Sequence, residues 1–191
     1  MLSYIHILCC QLKGGGMEIF MEIERKFLIE KEKIPFAPEK YPCRHIEQGY
    51  LCTAPVVRIR QDNDDFFLTY KSKGLMVREE YNLPLTKEAY CHLKEKTDGR
   101  LIIKERYVIP LSEGYSFKLG CKCDSDTVTD LPQYSELNIE LDFFKEALEG
   151  LVLAEVEFPD EETANRFNPP VWFGEDVTYS SKYHNSSLSL A

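Results

Sequence analysis

The 191-residue sequence contains no apolar run that approaches the roughly 20 residues of a membrane-spanning helix. It has no surplus of positive charge either, because 23 Lys and Arg stand against 32 Asp and Glu, a formal net charge of −9. A chain with this balance lacks the long-range attraction that nucleic acids and anionic membranes require. We therefore expect neither as a partner, and any anion that binds must meet a local basic pocket.

The cysteines do not form a disulfide framework. There are seven of them, an odd number, and their spacing does not repeat. This pattern favours a reduced compartment, and we expect the protein to be cytoplasmic. With 43% hydrophobic and 29% charged residues the chain is typical of a globular protein, and its length fits a single domain.

The first residues differ from the rest of the chain. Residues 1–16 end in Lys13 and three glycines, which is what a purine-rich ribosome-binding site would give if it were translated. They have no basic start and no small-residue cleavage site, so they do not resemble a signal peptide. We interpret residues 1–16 as a non-native leader or a mis-assigned start, with Met17 or Met21 as the true beginning, and expect residues 17–191 to form one domain.

Charged residues recur two positions apart in seven segments that read as strands. Since successive side chains of a strand point to opposite faces, each charged set shares one face. A solvated face would mix Ser, Thr, Gln and Asn among the charges, so these faces indicate a lined cavity. The basic members are Lys26, Arg58, Arg60, Lys71, Lys104 and Arg106. The acidic members are Glu22, Glu24, Glu80, Glu140, Asp142, Glu155 and Glu157.

The spacing of these segments predicts an α+β fold. Short hairpins join most of the strands, and Thr86 and Asp160 are placed to cap two helices. Further predictions are a strand over residues 115–123 and a last helix over residues 180–190, with Trp172 packing that helix against the barrel. An antiparallel barrel of eight strands, closed into a tunnel, gives every strand one face toward the interior and one toward the outside. We expect a charged lumen, and apolar side chains facing outward under a few flanking helices.

Two explanations compete for a lumen that carries both signs. The charges can pair into an ion network, or they can hold a polyanion on the basic side and hard divalent cations on the acidic side. Pairs of like sign, such as Glu155 with Glu157 and Arg58 with Arg60, favour ligands. Buried like charges repel each other unless something of the opposite sign neutralises them.

The ordered series of these motifs resembles the CYTH domain, also called the triphosphate tunnel metalloenzyme family. The first motif, E-x-E-x-K at Glu22 to Lys26, is weak alone, but the series is specific. The later motifs are R-x-R at Arg58, T-x-K at Thr69, R-x-E at Arg78, K-x-R at Lys104, E-x-D at Glu140 and E-V-E-F at Glu155. The resemblance covers about Met17 to the C-terminus and is strongest to the short bacterial inorganic tripolyphosphatases.

The resemblance implies a tunnel in which the six basic residues hold a small-molecule triphosphate and the seven carboxylates hold Mg²⁺ or Mn²⁺. It further implies catalytic roles for Lys104 and Lys26, and Lys104, crowded by other cations, would accept the proton of the attacking water at a lowered pKa.

Three functions are compatible with the resemblance. The leading one is hydrolysis of tripolyphosphate or a related triphosphate such as thiamine triphosphate. The alternatives are a class IV adenylate cyclase and a non-catalytic polyphosphate-binding module. Two departures from the family pattern stand out: Asn82 replaces a carboxylate of R-x-E-x-E, and residues 120–133 form a longer hairpin tip. A homodimer is left open.

Overall fold

The computed structural model describes residues 20–73, 76–116 and 136–191. Within these ranges eight strands form a closed barrel in the order β1-β5-β4-β3-β2-β6-β7-β8. The strands are β1 (Phe20–Leu28), β2 (Cys43–Thr53), β3 (Val56–Asp62), β4 (Asp65–Lys71), β5 (Val77–Pro84), β6 (Asp98–Pro110), β7 (Asn138–Phe144) and β8 (Val152–Glu157). The predicted leader at 1–16 and the hairpin tip at 120–133 lie outside the described residues.

Strand β1 closes the barrel. Its first half, residues 20–23, pairs with β5, and its second half, residues 24–28, pairs with β8. Every pairing is antiparallel, and the remaining neighbours are joined mainly by hairpins. The predicted eight-stranded antiparallel barrel with an α+β content is therefore confirmed.

In the described part of the chain, four short helices lie outside the barrel: α1 (Lys87–Lys94), α2 (Leu111–Ser116), α3 (Glu161–Arg166) and α4 (Asn185–Leu188). The Thr86 side chain accepts a hydrogen bond from Ala89 N at the start of α1, and Asp160 accepts one from Thr163 N at the start of α3. Both predicted caps are confirmed, because each provides an acceptor for an unpaired amide of the first helical turn. None of the helices in the described part of the chain is long and apolar enough to cross a membrane.

Two secondary-structure predictions are wrong. Residues 115–116 belong to α2 instead of a strand, and the rest of the predicted strand lies outside the described residues. The single helix predicted for residues 180–190 is a 3-10 turn at Ser181–Tyr183 followed by α4. His184 separates them because its backbone is extended, with φ −70° and ψ 136°.

The main apolar core lies outside the barrel. Ile23, Leu141 and Val156 point outward and are buried in one cluster with Phe167 and Trp172. The prediction that Trp172 packs the last helix against the barrel is wrong. Its indole N–H donates to Gly114 O of α2 at 3.0 Å, and its ring packs edge-on against Phe36. Trp172 therefore fixes α2, and the end of the chain packs elsewhere.

A second apolar cluster fills one end of the barrel interior. Tyr50, Ile102, Phe144 and Leu153 belong to it, and they continue the inner faces of β2, β6, β7 and β8. Leu188 of α4 packs into the same cluster and is buried. The C-terminal segment thereby covers one end of the barrel, so the charged part of the lumen begins above an apolar floor.

Candidate functional site

The predicted site residues converge inside the barrel. The clearest sign is that ion pairs reach across an intervening strand, which only the inner surface of a curved sheet permits. Lys71 of β4 lies 2.5 Å from Glu22 of β1, across β5. Arg106 of β6 lies 2.5 Å from Glu155 of β8, across β7. The charged lumen predicted from the alternation of side chains is therefore present.

One wall of the lumen is organised around Arg106. Its guanidinium donates from Nε to Asp142 Oδ1 and from Nη2 to Asp142 Oδ2, both at 2.6 Å. It also pairs with Glu140 and with Glu155. These carboxylates hold the pKa of Arg106 well above its ordinary value, although burial alone would lower it. Arg106 is thus a fully charged, multiply paired cation.

Lys104 and Asp142 form the most enclosed pair of this wall. Both side chains are 0% exposed, and Lys104 Nζ donates to Asp142. Burial first, and then the charge of Arg106, lower the pKa of Lys104 to about 8. Lys26 completes this wall, because its ammonium lies 2.8 Å from Glu155.

The opposite wall is built from β1, β3, β4 and β5. Lys71 Nζ bridges Glu22 and Glu80, at 2.5 and 2.7 Å. Arg58 Nη2 lies 3.7 Å from Glu80, across β4. Asn82, where the family pattern has a carboxylate, accepts a hydrogen bond from Thr69 at 2.6 Å and donates one to Glu80 at 2.9 Å. Asn82 therefore orients Glu80 instead of adding a charge beside it.

Arg58 and Arg60 have donors that no described group accepts. The Nε atoms of both guanidiniums are buried without a hydrogen-bond partner. Arg60 also has no ion pair within 4.0 Å among the described residues. Burial, together with the charges of Arg58 and Arg106, lowers the pKa of Arg60 to about 10. Buried donors are almost always paired in folded proteins, so these two atoms have unused hydrogen-bonding capacity.

The carboxylates differ in how well their charge is balanced. Glu155 has its pKa held well below the ordinary value by Lys26, Lys104 and Arg106, against the effect of burial. Glu157 is exposed at the end of β8, yet its surroundings are poorly solvated, and this together with Glu22 and other nearby carboxylates raises its pKa to about 7. The excess negative charge of the lumen therefore gathers around Glu157.

This excess bears on whether a divalent metal fits. Carboxylate oxygens are the ligands that Mg²⁺ and Mn²⁺ prefer, and a mutually repelling group of them is stabilised by a cation. Within the described ranges, no three His, Cys, Asp or Glu side chains are arranged closely enough to hold an ion. The donor chemistry fits a divalent metal, whereas the side chains are paired with Lys and Arg instead of being arranged as a preformed cage.

Sequence reasoning missed two sets of lumen residues. Gln48 is fully buried beside Arg58 and Arg60, but a neutral residue carries no signal in a search for charges. His184, Asn185 and Ser186 line a cavity of about 30 Å³ together with Lys26, Arg58 and Lys71. They come from the C-terminal segment, and only packing against the barrel brings them there.

These features define a class: an antiparallel eight-stranded barrel whose interior is lined by paired charges of both signs. The model of the CYTH domain family matches residues 21–161, and the chain belongs to this family. A relative from Nitrosomonas europaea named inorganic triphosphatase is 35% identical over 173 residues, covering 89% of this chain and 97% of the relative. One of the same name from Acetivibrio thermocellus is 32% identical, covering 87% of this chain and 92% of the relative.

The chain is also similar in fold to solved structures. A crystal structure described as an inorganic triphosphatase shares 34% identity and a TM-score of 0.58, covering 89% of this chain and 95% of the other. A structure described as a putative adenylate cyclase from Bacillus halodurans has 16% identity, a TM-score of 0.50, and coverage of 92% and 94%. At that identity it shows the fold alone.

The pKa of Glu157 leads to a testable prediction about stability. The folded-state pKa, about 7, is above the ordinary 4.5, so the folded protein is stabilised at low pH and loses that contribution as pH rises from about 4.5 through 7. In the variant Glu157→Gln, the amide side chain has no ionisable group in this pH range. We expect it to raise the melting temperature of EDTA-treated protein at pH 8 and to leave it nearly unchanged at pH 5.

Calorimetry between pH 5 and pH 8 measures this difference. Glu162→Gln is the matched control, because Glu162 is exposed on α3 and its side chain is 80% accessible. A melting temperature that varies with pH in the same way for wild type and Glu157→Gln would contradict the prediction.

Proposed function

We propose that this protein is a divalent-metal-dependent hydrolase that cleaves inorganic tripolyphosphate or a closely related triphosphate. Family membership and the names of its two curated relatives support triphosphate hydrolysis. The observation on which the proposal rests is the pair of buried, unpartnered Nε donors of Arg58 and Arg60, in a lumen that holds four more basic side chains. A linear triphosphate offers the many oxygen acceptors that such a set requires.

Binding in this lumen is an exchange of partners. Lys26 and Lys71, which line the cavity, are paired with carboxylates, so a triphosphate can bond to them only if these ion pairs open. Lys26, Lys71 and Arg106 would pass from carboxylates to phosphate oxygens. The carboxylates they leave would be buried and uncompensated, which is costly unless another cation replaces the lost one. This argument links triphosphate binding to divalent metal binding.

The proposed metal ligands are the predicted carboxylates, and the proposed metal is Mg²⁺ or Mn²⁺. The set is Glu22, Glu24, Glu80, Glu140, Asp142, Glu155 and Glu157. When bound, such a metal neutralises phosphate charge and acidifies a water molecule. Of the set, Asp142 is the most enclosed and holds two cations, whereas Glu157 lies in the region of greatest negative charge.

The residues of the chain would hold and orient the triphosphate and would deprotonate the attacking water. Lys26, Arg58, Arg60, Lys71 and Arg106 would fix the phosphate oxygens, which positions the scissile bond. In hydrolysis the water oxygen bonds to phosphorus, the phosphoanhydride P–O bond breaks, and the water proton must leave. Lys104 is the proposed acceptor of that proton, because an amine with a pKa of about 8 is partly neutral near pH 8. Lys26 is the second proposed catalytic residue, through its contact with the reacting phosphate.

One assay tests the function. Purified protein is incubated with tripolyphosphate, thiamine triphosphate or ATP, each with Mg²⁺, Mn²⁺ or EDTA, and orthophosphate, pyrophosphate and cyclic AMP are measured. We expect orthophosphate and pyrophosphate from tripolyphosphate, and no turnover in EDTA. Cyclic AMP from ATP would support the cyclase instead. Tight binding of tripolyphosphate without any turnover would support a non-catalytic binding module.

The same proposal includes the setting of the reaction. We propose a cytoplasmic protein that acts on a small molecule and has no nucleic-acid or membrane partner, on the basis of the reduced-compartment pattern of cysteines and the net charge of −9. The homodimer stays an open prediction.

A further inference from the structure

Gln48 is a neutral side chain placed between the two arginines of β3. It is fully buried and lies opposite Arg60 in the pairing of β2 with β3, where Tyr50 lies opposite Arg58. Gln48 Oε1 accepts hydrogen bonds from Arg58 at 3.5 Å and from Arg60 at 3.4 Å. Its Nε2 donates to the Tyr50 hydroxyl at 3.0 Å. Because Tyr50 engages the amide nitrogen, the amide oxygen faces both guanidiniums.

The rest of the lumen holds its cations differently. Arg106 is paired with three carboxylates, and Lys71 with two. Each of those cations is oriented and neutralised by the same groups. Arg60 has no ion pair among the described residues, and Arg58 has one long contact, 3.7 Å to Glu80. The acceptor that the two arginines share is an amide, a dipole without net charge. An amide can hold a guanidinium in place while leaving its charge for an anion, whereas a carboxylate would form the stronger charge-assisted pair and cancel it.

The burial of Gln48 argues against a role in packing alone. A fully buried amide is unfavourable unless its polar atoms are bonded, and Leu or Met would fill similar space at lower cost. Here both ends of the amide are used, one by Tyr50 and one by the arginines. The remaining Nε donors of those arginines are buried and unpartnered, so the amide leaves them free for a ligand.

We infer that Gln48, held by Tyr50, is a positioning residue that orients Arg58 and Arg60 toward a polyphosphate without neutralising them. The inference rests on the proposed function and deepens it, because it assigns Arg58 and Arg60, which are less neutralised than Arg106, as the strongest anion-binding part of the lumen. It also explains why a buried, uncharged polar residue lies on the inner face of β2, the strand that supplies none of the predicted charges.

Gln48→Glu tests this inference, because it keeps the size of the side chain and adds the charge. We expect the KM for tripolyphosphate to rise by about 10-fold or more while kcat stays within about threefold, as a carboxylate competes with phosphate for both arginines. Gln48→Met removes the dipole without adding charge, and should raise KM by only about threefold. Gln61→Glu is the matched control, since Gln61 lies on the outer face of β3 and bonds only to Asn63 O among the described residues.

Calorimetric binding of imidotriphosphate, whose P–N–P bridges resist hydrolysis, in the presence of Mg²⁺ gives a second readout that needs no turnover. The dissociation constant should rise in the order wild type, Gln48→Met, Gln48→Glu. If Gln48→Glu does not fold, Tyr50→Phe removes the hydroxyl that holds the amide and that also contacts Arg58, and it should raise KM with little change in melting temperature. Unchanged KM in the folded variants, or an equal fall of kcat in Gln48→Glu and Gln48→Met, would overturn the inference alone. A wild-type protein that neither binds nor cleaves tripolyphosphate would overturn the proposed function as well.

Discussion

Replacing Arg106 with alanine is expected to lower the free energy of unfolding by about 3–5 kcal/mol, the usual cost of removing one partner from a buried ion network. Arg106 is 5% exposed, and its guanidinium contacts Glu140, Asp142 and Glu155. Without it, the 0% exposed Asp142 keeps only Lys104 among the described residues, and Glu155 keeps only Lys26 among them. For a chain of this size the loss corresponds to a fall in melting temperature of roughly 10 °C.

Arg166→Ala is the matched control, since it removes the same side chain from a surface pair. Arg166 lies 3.2 Å from Glu162, and the two side chains are 70% and 80% exposed, so its loss should cost under about 1 kcal/mol. For Arg106→Lys the loss in the free energy of unfolding should lie between those of Arg106→Ala and Arg166→Ala. The ammonium keeps the charge but lacks the planar guanidinium that can bond several carboxylates at once. Chemical denaturation monitored by circular dichroism measures all three. Equal losses for Arg106→Ala and Arg166→Ala would contradict the assigned network.

The inner faces of the strands were predictable because side chains alternate strictly along a strand. Once Glu22 and Glu24 are assigned to one face, Ile23 must lie on the other, and the structure agrees at both faces. The same rule placed Arg106 and Asp142 inside before any pairing was known. The barrel was predictable from the same observation, since two distinct faces on every strand require closure or a second layer.

The partners of each charge were not predictable. Arg58 pairs with Glu80, and Lys71 with Glu22, across an intervening strand, and that reach depends on the curvature of the closed sheet. The apolar floor was missed for a different reason. Tyr50 and Phe144 look like ordinary core residues in sequence, and only the C-terminal segment, through Leu188, turns them into the closed end of a lumen.

Gln48 shows the limit of a search based on charge. An amide on a predicted strand is common, and its importance comes from Arg58 and Arg60 on the neighbouring strand. Asn82 is similar, because the sequence showed a missing carboxylate, whereas the structure shows hydrogen bonds to Thr69 and Glu80. In both cases a neutral group acts by orienting charged neighbours.

Replacing Glu22 with glutamine is expected to lower metal-dependent turnover of tripolyphosphate by about 100-fold or more, if Glu22 is a metal ligand as proposed. A bound divalent metal supplies several kcal/mol of charge stabilisation in the transition state, and each 1.36 kcal/mol is tenfold in rate. The substitution keeps the size of the side chain and removes its charge. Lys71 retains Glu80 at 2.7 Å, so we expect the variant to fold.

The measurement must separate metal binding from stability. Rates are followed across a titration of Mg²⁺ and of Mn²⁺, and calorimetry gives the affinity for the metal itself. Glu105→Gln is the matched control: Glu105 lies on the outer face of β6, where it pairs with the partly exposed Lys145 at 2.8 Å, and its loss should leave the rate unchanged. A Glu22→Gln protein with wild-type turnover and wild-type metal affinity would remove Glu22 from the ligand set. Weaker metal binding with rates that recover at high Mg²⁺ would instead support its role as one ligand among several.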